Sequence, residues 1–253
     1  MNQDRKIKYF AYENYSKSAP WPSDDVWHQY TYSMEKSAIE RWLARSAADG
    51  MQILNAGSGG MQYETSATLI HLDIIREYIE EYDHHIVGSV EKIALPDASM
   101  DGFICVGSVL NYSDAQRAIS ELSRILKTGG FFALEFERSD SAEFLWTANH
   151  GRDILFRTYR YNGQEHPLWL YSEKHIRQIL AQNQLIVQKC KRIHSISSLL
   201  NRIGLPEAQS APYSHLDSFF HLLSYPLAHN VMLFGKKAVF AKGNNRYKSC
   251  NDR

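Results

Sequence analysis

The residues able to do chemistry in this chain fall into three groups. The first is the stretch "ILNAGSGG" at 53–60, an apolar run that carries Asn55 and ends in Gly57, Ser58, Gly59 and Gly60. Glycines that close a strand-like run let main chain pass close to a ligand. The second group is a set of carboxylates at the ends of apolar runs: Asp73 after "ATLIHL", and Glu135 and Glu137, followed by Arg138, after "FFAL". Parallel strands open at their carboxyl ends on a ligand crevice, where a carboxylate can accept hydroxyl hydrogens or a proton. The third group is eleven histidines and three cysteines. Cys105, Cys190 and Cys250 stand far apart without CxxC spacing, so the pattern suggests neither a disulfide framework nor a zinc site, and no metal is expected.

The glycine cluster does not read as a phosphate loop. G-x-G-x-x-G needs a third glycine at position 62, which is Gln62, and no G-K-[S/T] follows. Sixteen positions separate Gly57 from Asp73, too few for a full crossover helix, whereas a dinucleotide unit spans about 20 or more.

These groups need elements to position them. "MQILNA", "ATLIHLDI", "HHIVGS", "DGFICVGSVL" and "FFALEFE" read as five short strands, the fourth apolar throughout, as a strand covered on both faces is. Between the last two, "SDAQRAISELSRILKTGG" is the clearest helix. A capping box of Ser113 with Gln116 is expected to start it, and Gly129–Gly130 to stop it. Ala115, Ala118, Ile119, Leu122, Ile125 and Leu126 form its apolar stripe. Upstream, "SDDVWHQYTYSMEKSAIERWLARSAADG" reads as helix in one or two pieces, with Ser23 as cap, Asp24 and Asp25 at the dipole's positive end, and Gly50 as stop. Downstream come a helix "SEKHIRQILAQN", a strand "LIVQKCKRI", helices across 195–228 and a closing strand "HNVMLFGKKAVFA". Strands alternating with helices predict an α/β fold with a doubly wound, mostly parallel seven-stranded sheet, an N-terminal helical cap and a helical insert before the last strand.

Composition narrows the function classes. Lys plus Arg is 28 and Asp plus Glu is 28, so there is no basic excess to displace counterions from a nucleic acid. No stretch reaches the roughly 18 apolar residues of a membrane span, and the N-terminus lacks a signal-peptide core. A single domain over 1–245 is expected, divided into a cap (1–48), a core (49–138) and an acceptor-side half (139–245) with its insert at 195–228. A flexible tail follows at 246–253. A cytoplasmic monomer or homodimer, without nucleic acid or membrane, fits this reading.

The order "ILNAGSGG", "IHLDI", "IVGSVEKIALPDASMDGFICVGSVLNY", "AISELSRILKTGGFFALEFE" resembles the class I S-adenosylmethionine-dependent methyltransferases, in particular their small-molecule, type 11-like group. The likeness runs over roughly 40–138. The resemblance implies S-adenosylmethionine as cofactor, held at Asn55, Gly57, Ser58, Gly59, Asp73, Ser89, Val90, Gly107, Ser108 and Val109. In it, Gly57 and Gly59 pass under the amino-acid end and Asp73 accepts the ribose hydroxyls. Ser89 and Val90 serve adenine, Gly107 and Ser108 run along the methionine chain, and Val109 lies over the adenine or sulfonium side. The chain departs from the pattern in three places, one of them the shortened crossover after Gly60. Asn55 stands where an acid is common, and Ser89 where an acid receives the adenine amine.

Methyl transfer from a sulfonium needs an acceptor held opposite sulfur in a dry pocket, and a base only where the acceptor must lose a proton. His28 and Glu137 are the candidate catalytic residues, and Tyr15, Trp27, Tyr112 and Arg138 the candidate acceptor-binding ones. Tyr32, Asn111, Glu135, His194, His215 and His221 are weaker candidates. His71 reads as a satisfied core residue, and His84 and His85 as solvated. The aromatic lead from Tyr9 to Trp27 is expected to fold over the site in place of the shortened crossover. "RDILFRTYRYNGQEHPLWLYS" reads as a wall for a planar or anionic acceptor, or as a solvated hairpin. "YSHLDSFFHLLSY", with Leu216, Phe219, Phe220 and Leu223, reads as a pocket wall or a packing face. The activity implied is methyl transfer to O, N or C of a small molecule. The alternatives are a methyltransferase-like scaffold without transfer activity, and another nucleotide-binding enzyme, which Gln62 disfavours.

Overall fold

The apolar runs become the strands β1 (Gln52–Ala56), β2 (Thr68–Asp73), β3 (His85–Val87), β4 (Met100–Cys105) and β5 (Leu126–Glu137) of a computed structural model that describes residues 3–16, 26–161, 164–218 and 227–239. A hairpin of β6 (Ile154–Tyr161) and β7 (Gln164–Tyr171) stands apart, and β8 (Leu185–Ile193) and β9 (Asn230–Lys237) complete the main sheet. Its order is β3-β2-β1-β4-β5-β9-β8, with β9 antiparallel to both its neighbours. The fold is the doubly wound Rossmann-like arrangement predicted above. Reversal at β9 matters for the site, because it brings the start of β9 beside the end of β5: Asn230 pairs with Glu137.

The helices are α1 (Gln3–Tyr15), α2 (Val26–Ser46), α3 (Ala115–Ile125), α4 (Glu173–Gln182), α5 (Ser195–Arg202) and α6 (Glu207–Ser210). Ala115, Ala118, Ile119, Leu122 and Ile125 of α3 are buried with α4 on one sheet face, and Ile39 and Leu43 of α2 on the other. Each fully buried aliphatic side chain of this kind is worth about 1.5–3 kcal/mol.

Three local expectations are corrected. The cap of α3 is Asp114, whose side chain accepts from Arg117 N, while Ser113 donates its hydroxyl back to Val109 O at 3.0 Å. The helix ends at Ile125, before the glycines, because Leu126 is already extended and pairs with Met100. The fourth strand stops at Cys105, and Val109–Tyr112 form a 3-10 turn.

No helix joins β1 to β2, as the sixteen-position spacing requires. The aromatic lead supplies a helix instead: α1 buries Ile7 and Ala11 and packs on β7. The insert before β9 is helical over α5, α6 and a 3-10 segment, Ala211–Ser218. The Ser23–Asp25 cap, Phe219, Phe220, His221, Leu223, Cys250 and the polar tail lie outside the described residues. Among the described residues no helix is long and apolar enough to cross a membrane.

Candidate active site

The carboxyl ends of β1, β2, β4 and β5 open on a cavity of about 740 Å³, closed from above by α1, the first half of α2 and the β6–β7 hairpin. Its floor is the glycine turn. Gly57 N and Ser58 N both bond to Leu72 O, at 2.7 and 3.0 Å, which clamps the turn to β2. Gly57 has φ +65, and a Cβ there would lie 2.2 Å from a methyl of Val109. Only glycine fits, because the two loops pass within touching distance.

Asp73 stands at the rim of this turn. One carboxylate oxygen accepts Gly59 N at 2.8 Å and the other Ile75 N at 2.9 Å. Each oxygen keeps a lone pair for the cavity, which Asp73 lines. Burial raises its pKa, against the lowering effect of those backbone bonds. Asn55 is buried and gives its amide to Met61 O, bracing the loop. His71 is the satisfied core residue expected, bonded to Ser58 Oγ at 3.0 Å and stacked on Tyr82. Burial depresses its pKa to about 4, so it stays neutral.

Gly107 and Ser108 both adopt positive φ, 78 and 59. That turn aims Ser108 N at Glu135, 2.7 Å away, and its hydroxyl at Glu137, 2.6 Å away. Ser89 and Val90 line the cavity near Asp73. The acid in that loop is Glu91, tied to Lys8 of α1 at 2.8 Å and to Asp114 N at 2.9 Å.

The opposite end of the cavity carries a charged array. His229 Nε2 lies 3.4 Å from Glu137 and its Nδ1 3.6 Å from Glu143. Tyr159 donates to Glu143 at 2.9 Å. Burial alone lowers the His229 pKa, but the two carboxylates outweigh it and raise it to about 9. Burial alone raises Glu137, and the imidazolium with Ser108 pulls it net below the usual range. Glu137 is therefore ionised and His229 protonated at neutral pH.

Aromatic rings wall this end. Tyr15 and Tyr112 meet edge to face at 5.6 Å, with a hydroxyl contact at 3.3 Å. Trp27 stacks on His194 at 3.8 Å, and His28 lines the same space. His194 is a structural residue, buried and bonded to Thr31 and Ser214.

The cavity thus brings together Asn55, Gly57, Ser58, Gly59, Asp73, Ser89, Val90, Gly107, Ser108, Val109, Glu137, His28, Tyr15, Trp27 and Tyr112. It does not bring Arg138, which is 1% exposed and paired with Asp140 at 2.9 Å and Glu173 at 3.9 Å. The alternation that puts Glu137 at the cavity sends Arg138 the other way. Sequence reasoning missed Glu35, Glu143 and His229, and reached Tyr159 only as part of the stretch read as an acceptor wall. His229 immediately precedes the last strand, and only the antiparallel direction of that strand starts it beside Glu137.

Comparison with known proteins agrees with this geometry. Residues 54–134 match the family model described as "Methyltransferase domain". Over 63 residues the chain is 35% identical to the ubiquinone/menaquinone biosynthesis C-methyltransferase UbiE of Bradyrhizobium sp., covering 24% of this chain and 25% of that one. Over 112 residues it is 30% identical to the malonyl-[acyl-carrier protein] O-methyltransferase of Serratia marcescens, covering 39% and 43%. The chain thus spans under half the length of the curated relatives it matches. Among solved structures it is similar to the 1,6-didemethyltoxoflavin-N1-methyltransferase of Burkholderia thailandensis, solved with 1,6-didemethyltoxoflavin and S-adenosylhomocysteine bound. That likeness has a TM-score of 0.60 at 11% identity and covers 94% of this chain and 92% of the other. Residues 54–134 thus match a methyltransferase domain, and the fold is the Rossmann-like one of the methyltransferase structures it is similar to.

Proposed function

We propose that this protein transfers a methyl group from S-adenosylmethionine to a small, planar acceptor that loses an acidic N–H or O–H proton. The observation that carries the reading is one cavity with two unlike ends: a carboxylate beside a glycine turn, and an ionised glutamate walled by rings. The residues present fit the cofactor. Asp73 accepts a sugar diol through the lone pairs that Gly59 and Ile75 leave open, and a Gly57 without Cβ gives the chain of the ligand its path. When bound, the cofactor supplies a methyl group on a cationic sulfur. Tyr15 and Tyr112 line the cavity with aromatic rings, whose faces suit such a cation.

Glu137 is the residue placed to take a proton. Its lowered pKa makes it a weak base, so it deprotonates an acidic ring N–H, phenol or enol in preference to an alcohol or ammonium. His229 holds that carboxylate in place and keeps it ionised, and His28 is the second proton acceptor within the same walls. The rings exclude water and fix a flat acceptor edge-on. The monomeric or dimeric state and a cytoplasmic location belong to the same proposal.

Calorimetry with S-adenosylmethionine, S-adenosylhomocysteine and NAD tests the reading. Binding of the first two, abolished or weakened at least tenfold in Asp73→Ala, supports it. Binding of NAD alone, or of none of the three, overturns it, and the latter result favours a scaffold.

A further inference from the structure

One wall of the cavity is built from polar groups that the described residues leave unsatisfied. Glu35 of α2 is 0% exposed, and neither carboxylate oxygen has a hydrogen-bond partner. The Tyr63 hydroxyl and the Asn230 carbonyl oxygen are likewise buried without one. All three residues line the cavity. They come from α2, from the loop after β1 and from the start of β9. Tyr63 feels the charge of Glu35, and Glu35 that of Glu135, to which Asn230 donates at 2.7 Å. Buried polar groups in native folds find partners, and three orphans that line one cavity point to a ligand as theirs.

Their chemistry is one-sided. Glu35 offers two acceptor oxygens and Asn230 a third, and the tyrosine hydroxyl both donates and accepts. The cation whose charge reaches Glu35 is Lys191, which donates its ammonium to Met34 O at 3.0 Å. Burial, with the charge of Glu135 added to it, pushes the Glu35 pKa well above the ordinary carboxylate value, a cost that a bound cation would offset.

We propose that Glu35, Tyr63 and Asn230 form a subsite for a primary ammonium group, taken by the α-amino group of the cofactor's amino-acid end. Three N–H donors meet three acceptors, and the bound positive charge favours the ionised form of Glu35. The assignment rests on the cofactor reading above, with Asp73 gripping the sugar and Glu35 the far end of the same molecule. Glu35 is then a residue kept at a cost to the empty protein, since an apolar side chain of its shape would pack there with no unmet acceptor.

The test compares S-adenosylhomocysteine, its analogue lacking only the α-amino group, and 5′-methylthioadenosine, by calorimetry on the full chain. The wild type is expected to bind the first more tightly than the other two. Glu35→Met and Tyr63→Phe are expected to weaken S-adenosylhomocysteine by roughly 10- to 100-fold and threefold to tenfold, the range for hydrogen bonds with and without a charge. Both leave 5′-methylthioadenosine unchanged, and Glu35→Met raises the melting temperature of the ligand-free protein. Equal weakening of all three ligands, or no weakening of any, overturns the subsite. Failure of the wild type to bind 5′-methylthioadenosine and S-adenosylhomocysteine alike overturns the cofactor reading itself.

Discussion

Replacing Gly57 by alanine perturbs the site at its tightest point, and the structure fixes the size of the effect. Two penalties add. An alanine at φ +65 pays for left-handed backbone, and its Cβ would sit 2.2, 2.7 and 3.0 Å from the three outer carbons of Val109. The first is worth ~1–2 kcal/mol and the second, as overpacking, ~1–3 kcal/mol. Gly57→Ala is thus expected to lose about 2–5 kcal/mol of unfolding free energy, unless the turn moves away from Val109. Movement has its own signature, because Gly57 N and Gly59 N hold Leu72 O and the Asp73 carboxylate. A displaced turn misaligns Asp73 and weakens S-adenosylhomocysteine by a factor of ten for each ~1.4 kcal/mol of lost contact. Urea unfolding with calorimetry reads both outcomes. The companion Val109→Ala, alone and combined, separates the terms. The double variant removes the two closest contacts, to the Val109 methyls, and keeps the backbone penalty and the 3.0 Å approach to Cβ of residue 109, so a coupling of roughly 1–3 kcal/mol between positions 57 and 109 is expected. A Gly57→Ala protein within ~0.5 kcal/mol of wild type that binds S-adenosylhomocysteine equally well would refute the close pass of the two loops.

Other expectations follow from the same geometry. His229, raised from an ordinary 6.5 to about 9 in the fold, stabilises fully below 6.5 and loses that contribution as pH rises through 9. Unfolding free energy should therefore fall between these values by up to about 1.4 kcal/mol per pH unit, and His229→Gln should flatten the curve, so a flat wild-type curve would disprove the Glu137–His229–Glu143 array. Arg138→Met removes the 2.9 Å ion pair to Asp140 and the bond to Ala228 O, while Glu173 keeps Arg177 and Arg192, and should cost roughly 1–3 kcal/mol while the folded fraction binds S-adenosylhomocysteine as before. Lost binding at unchanged stability would instead return Arg138 to the site. Tyr12 and Tyr15 line the cavity, so S-adenosylhomocysteine should slow proteolysis between residues 9 and 30, and unchanged cleavage there would exclude α1 as a lid.

The sheet was legible because each strand announces itself. "ILNA", "LIHLD" and "FFALEFE" are apolar runs bounded by turn residues, and the short gap from Gly57 to Asp73 leaves no room for a helix between the first two. The glycine-turn end of the cavity was legible through the family resemblance, whose motifs follow strand ends in sequence order, so Gly57, Asp73 and Ser108 could be matched position by position. Arg138 and His229 show where counting stops. Both adjoin a strand end, but which faces the cavity depends on strand alternation and on the direction of the last strand, and no local signal states either. Glu143 and Tyr159 reach the site from a turn and a hairpin that fold back over it, a tertiary event without a periodicity of its own. Tyr15 was found through its aromatic neighbours, since a lead too apolar for solvent must cover something.

A chain of zero net charge nonetheless lines this cavity with Asp73, Glu91, Glu137, Glu143, Glu207 and Glu35. Their states differ by design of the surroundings. Glu91 is matched by Lys8, Glu137 and Glu143 share one imidazolium, and Glu35 is left unmatched. Burying carboxylates without cations is expensive, so an arrangement of this kind is stable when a ligand brings the missing positive charge. A sulfonium with an α-ammonium brings two charges, and its demethylated product only the ammonium. In the proposed reaction Glu137 would be the carboxylate that takes the acceptor's proton, and its pairing with His229 is what keeps it charged to do so in a ring-walled space.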